Sequence, residues 1–110
     1  MESRGQPSLT DAMNLLWTRF LPQIEERVAA LETAATALNH AGLNSVEREQ
    51  ASAAAHKLAG VLGTFGLAEG TNLAREAENY YSSEAQAEPA GAGRQAEIAA
   101  RLRAMVNARQ

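Results

Sequence analysis

The stretch Ala55-His56-Lys57-Leu58-Ala59-Gly60-Val61-Leu62-Gly63-Thr64-Phe65-Gly66 sets one histidine inside an apolar, helix-forming segment. With His56 at zero and about 100° per residue, Ala54, Leu58, Val61, Leu62 and Phe65 fall between about 140° and 240°. That arc is the expected core stripe. Glu49, Ser52, Ala59, Gly60 and Gly63 fall within about 60° of His56, on the opposite side. The imidazole is therefore expected to face solvent from mid-helix, ringed by small residues. A histidine presented in this way can act as a nucleophile toward something large that docks on it.

Helical spacing continues on both sides of this segment. Ser8 reads as an N-cap with Asp11 three residues on, and Leu9, Ala12, Met13, Leu16 and Phe20 follow at helical steps. This predicts a short first helix over about 9–20, preceded by a disordered lead-in, about 1–8. Pro22 suits the first turn of a new helix. Ile24, Val28, Leu31, Ala35 and Leu38 then form a bundle seam, in a helix over about 22–41. Gly42-Leu43 reads as its stop, with Gly42 left-handed and Leu43 folding back. Asn44 to Glu47 resembles a capping box, opening the helix that carries His56 and runs to about Thr64.

Gly66-Leu67 repeats the stop. A helix over about 68–83 gathers Leu73, Ala74, Ala77, Tyr80 and Tyr81 on one face. Ser-Ser, Pro89 and Ala-Gly-Ala-Gly make 82–93 a predicted loop of about a dozen residues. A last helix, about 94–109, offers Ile98, Ala99, Leu102, Met105 and Val106. The expected fold is all-α: an antiparallel up-down four-helix bundle with a short additional N-terminal helix, in one domain over 9–110.

Composition agrees and excludes several classes. The chain has 110 residues, 45% of them apolar, which is enough for one core. Only three prolines and five aromatic residues are present, so helix is favoured over a sheet sandwich. Net charge is −3 with no basic stripe, which argues against nucleic acid. With no cysteine, disulfide and thiolate chemistry are excluded. No apolar run is long enough to span a membrane, and Met1 to Gly5 lacks a signal core, so a cytoplasmic setting is expected. No metal site is expected, because His40 and His56 lie on different helices and lack a Glu-x-x-His pair (Ala37 and Ala53 occupy those positions). A Gly-rich phosphate loop and a Rossmann fingerprint are also missing.

His56-x-Leu58-x-Gly60, with Gly63 and Gly66 at matching steps, resembles the signature of histidine-containing phosphotransfer (HPt) domains. The likeness extends to the helix order and covers roughly residues 9–109. It implies a phosphorelay intermediate without enzymatic activity of its own. His56 accepts a phosphoryl group from a kinase or a receiver aspartate and passes it to a receiver aspartate. The implied partners are a response-regulator receiver domain and a histidine kinase or hybrid kinase. No cofactor is implied, since Mg²⁺ comes with the receiver, and a monomer is expected.

Many members of that family carry a lysine three residues after the histidine, where this chain has Ala59. The chain's only lysine, Lys57, lies about 100° around the helix and is the candidate phosphate-assisting residue. Glu49, Ser52, Ala59, Gly60 and Gly63 are the candidate docking face. A glycine inside a helix costs about 0.5–1 kcal/mol against alanine, so Gly60 and Gly63 are read as keeping that face flat for a partner. His40, in a last helical turn, is read as structural. Arg75 and Asn79 are expected in solvent, and Trp17 with Phe20 as a core plug. Two other readings fit the same pattern. One is the phospho-accepting input domain of a chemotaxis-type kinase, and the other is a bundle that only binds partners.

Overall fold

The computed structural model describes residues 8–83 and 89–109. Most of the expected lead-in and the middle of the expected loop, 84–88, lie outside the described residues. Four helices follow in order: α1 (Leu9–Leu38), α2 (Ser45–Thr64), α3 (Ala68–Ser82) and α4 (Pro89–Arg109). Each packs against its two neighbours in the ring α1–α2–α3–α4. The fold is an all-α four-helix bundle.

The helix ends follow local chemistry. Ser8 Oγ accepts the Asp11 amide at 3.0 Å and opens α1. Asn44 and Glu47 form a full capping box on α2, with bonds of 2.7 and 2.9 Å. Gly42 and Gly66 take φ of +90° and +74°. These left-handed turns let the amides of Gly42 and Leu67 reach back to Ala37 O and Leu62 O. Leu43 and Leu67 then fold onto the core.

Two expectations change. The expected break at Pro22 does not occur, so the short N-terminal helix is the first part of α1, which runs unbroken for 30 residues. Pro22 lacks the amide that would bond Thr18 O. Both residues are exposed, so water can reach the orphaned carbonyl. Trp17 and Ile24 are buried on either side of the proline, and their packing holds the two halves in line. At the other end, α4 begins at Pro89 rather than near 94. A proline at the first helical position gives up an amide that has no intrahelical partner anyway.

The core runs through Ile24, Val28 and Leu31 of α1, Leu58 and Leu62 of α2, Leu73 and Tyr81 of α3, and Ile98, Leu102 and Val106 of α4. On α2 the buried residues are Ala51, Ala55, Leu58, Ala59 and Leu62, while Ala54, Val61 and Phe65 are only half-buried. Taken from His56, this stripe centres near 250° rather than the expected 190° or so, because α3 covers that side. At about 1.5 Å per residue, α1 outruns the 20-residue α2 by about 15 Å. Leu9 and Leu16 are therefore 80% and 39% exposed. Of the expected core plug, Trp17 is buried at 3%. Phe20 is 38% exposed and only edges onto Phe65.

Ion pairs fasten α4 to its neighbours: Arg94 to Glu76, Arg101 to Glu69, and Arg103 to Glu32. All lie at the surface and contribute modestly. Hydrogen bonding to Glu76 and Glu97 holds the Arg94 guanidinium pKa above its usual range.

Two glycines should respond oppositely to substitution. A Cβ on Gly60 meets nothing within 4 Å, so Gly60→Ala should stabilise the fold by up to about 1 kcal/mol. A Cβ on Gly70 lies 2.9 Å from both Leu62 Cδ1 and Met105 Sδ, so Gly70→Val should destabilise it by about 1–3 kcal/mol. Urea unfolding of both variants checks the pair.

Candidate functional site

His56 sits in the middle of α2 with its side chain 72% exposed. The roll of α2 decides this. Ala55 and Leu58 are fully buried, and the ring leaves the helix on the remaining open side. Among the described residues its one polar contact comes from the next helix. Nδ1 lies 2.9 Å from Glu78 Oε2 of α3.

That contact has a chemical consequence. An ionised carboxylate only accepts hydrogen bonds, so the neutral ring places its hydrogen on Nδ1. Nε2 then carries the lone pair, on a side chain that is 72% exposed. Glu78 is itself held at the α2–α3 seam, where Ser52 Oγ donates to its backbone carbonyl at 3.4 Å.

Sequence reasoning missed Glu78. It lies beside Ala77 at the edge of the α3 core stripe. Spacing sets it apart from Arg75 and Asn79, which are both exposed on the far side of α3, but does not say which neighbour it faces. The signal lay in the pairing of helices, which a single helical wheel does not contain.

The other sequence candidates divide. Glu49, Gly60 and Gly63 are exposed and Ser52 is half-buried, all on the His56 side of α2. Ala59 is a correction. It is 3% exposed and belongs to the core, facing α3, where Thr71 Oγ1 donates to its carbonyl at 3.1 Å. It is not on the accessible face. Gly63 is open to solvent, but a Cβ there stands 3.3 Å from Thr71 Oγ1, so it also lets α3 approach. Gly60 has no such neighbour. Lys57 is exposed and, among the described residues, forms neither a hydrogen bond nor an ion pair. His40 is exposed at the far end of α1.

No group of three or more His, Asp or Glu side chains among the described residues converges to hold a metal ion. No helix among them is long and apolar enough to cross a membrane. The arrangement offers one presented, tautomer-fixed imidazole on a low-relief wall. Such a group can attack an electrophile that another macromolecule delivers.

The family model of the Hpt domain matches residues 15–110. Protein RcaC of Microchaete diplosiphon is 34% identical over 87 residues, 79% of this chain. The chain spans 13% of that relative's length. No solved structure matches. The chain belongs to the Hpt domain family, the phosphotransfer modules of two-component systems. Domains of this family are phosphocarriers that work with kinases and response regulators.

The His56–Glu78 contact can be read directly. ¹⁵N NMR of the histidine ring should show the Nδ1–H tautomer dominant in the native chain. Glu78→Ala should return the ring to the mixed tautomers of free imidazole. An unchanged spectrum in that variant would remove Glu78 from the site.

Proposed function

We propose that this domain is a cytoplasmic phosphorelay carrier in which His56 is the phosphorylated residue. The observation that carries this reading is the ring itself, largely exposed at mid-helix with Nδ1 held by Glu78. The Nε2 lone pair attacks the phosphorus of a receiver's aspartyl phosphate. The N–P bond forms as the P–O bond to the aspartate breaks, and the carboxylate leaves with the bonding pair. Throughout, the hydrogen stays on Nδ1 and is donated to the Glu78 carboxylate, whose negative charge offsets the positive charge gathering on the ring. Delivery to a second receiver is the same step reversed.

Phosphoryl transfer of this kind needs positioning and charge neutralisation more than covalent assistance. The receiver supplies the acidic pocket and Mg²⁺. This chain supplies a rigid rod, an oriented ring and room for close approach. Gly60 provides that room, and its open surroundings support a docking role over a packing one. Lys57, exposed one residue after the histidine, assists in this reading by leaning its ammonium toward the phosphoryl oxygens on its flexible stem.

Radiolabel transfer tests this reading. Phosphorylated receivers should label the wild-type chain, and His56→Gln should abolish labelling while the helical circular dichroism persists. Gly60→Leu should slow transfer at least tenfold without unfolding the chain. Full labelling of His56→Gln would end the proposal. Labelling by ATP plus a separate kinase catalytic domain, with none from receivers, would favour the input domain of a chemotaxis-type kinase.

A further inference from the structure

Beside the His56–Glu78 pair, the seam between α2 and α3 opens into a surface pocket of about 430 Å³. Its polar lining is Ser45, Arg48, Glu49, Ser52, Tyr81 and Ser82. Two of these groups are unsatisfied. Tyr81 is 2% exposed, and its hydroxyl has no hydrogen-bond partner among the described residues. Arg48 Nε is also buried and without a partner there. Buried donors in this condition destabilise the fold unless something accepts from them.

The electrostatics point the same way. Arg48 is the fourth residue of α2, close to the positive end of the helix dipole, where a cation is disfavoured. Among the described residues no carboxylate forms an ion pair with it, whereas Arg94, Arg101 and Arg103 each have one. A partly buried guanidinium, a buried phenol and the serine hydroxyls together make a seat for an oxyanion. Glu49 on the wall sets a limit, because it repels a phosphate dianion more than a single carboxylate.

Location selects the source of that carboxylate. Ser52 and Arg48 precede His56 by four and eight residues, about 6 and 12 Å along the helix. A typical docked protein covers about 800 Å² per partner, a disc about 16 Å in radius. Any receiver seated on His56 therefore covers this pocket.

We propose that the pocket seats a carboxylate side chain of the docked receiver, with Arg48 as its counter-charge and Tyr81 as a second donor. This rests on the carrier reading above and adds a partner-selecting contact to it. Acidic residues at the matching place on a receiver then distinguish the right partner from the wrong one.

The test is transfer kinetics from a phosphorylated receiver to the full chain. In Arg48→Gln the half-saturating receiver concentration should rise on the order of tenfold, with the limiting rate within about twofold of wild type. Arg48→Lys should recover part of the loss, since it restores charge without the planar fork. Tyr81→Phe should raise the concentration by a smaller factor, and melting curves check that each variant folds.

Unchanged half-saturation in Arg48→Gln overturns the assignment. So does a shift of the Arg48 Nε–H NMR signal in millimolar inorganic phosphate that a saturating receiver does not produce, because the seat then belongs to a free anion. If no receiver labels even the wild-type chain, the carrier reading itself has failed. If labelling is intact and Arg48 is silent, only the pocket assignment has failed.

Discussion

The close approach of α2 to α3 is the constraint on which the site depends. Small side chains make it possible: Ala51, Ala55 and Ala59 on α2, and Gly70, Ala74 and Ala77 on α3, are all buried. Two side-chain-to-backbone bonds cross the seam, from Thr71 to Ala59 and from Ser52 to the Glu78 carbonyl. They fix the roll of α2 against its neighbour. With that roll set, His56 faces outward and the Glu78 carboxylate comes within hydrogen-bonding distance of its ring. A bulkier seam would separate the helices and part the imidazole from the carboxylate.

Rigidity and access pull against each other on such a surface. A helix gains stability from alanine and loses it to glycine, yet Gly60 stands in open space where alanine would fit. In the proposed carrier role, that local stability is given up for clearance next to the imidazole. The rest of the bundle carries the deficit through fully buried residues such as Ile24, Leu31, Leu62 and Leu102. The exposed imidazole therefore sits on the surface of α2 while stability sits in the layer beneath it. Tyr81 and Arg48, on the same side, have hydrogen-bonding atoms without a partner among the described residues.

Helical content, the capping box at Asn44, the two Gly-Leu stops and the exposure of His56 were legible from residue spacing. Each depends on contacts within one or two turns, so a single chain segment contains the information. Pro22 was misread because the packing that keeps α1 straight comes from other helices and acts through Trp17 and Ile24, seven residues apart. The start of α4 was misread because a Pro-Ala-Gly-Ala-Gly run looks like a turn until it is placed against α1 and α3. Ala59 was assigned to the open face because a helical wheel drawn from His56 has no knowledge of which neighbour covers which arc.

By itself the sequence determined the helical content, the two Gly-Leu stops and the side of α2 that carries the histidine, because hydrophobic period and backbone caps are local properties. It also carried the motif that places the chain in its family. Only the tertiary structure decided which residue holds the imidazole, how far the glycine face extends and which side chains of α2 and α3 line the pocket beside it. These depend on the relative roll and spacing of two helices, which many small packing contacts fix jointly and no single stretch of chain encodes.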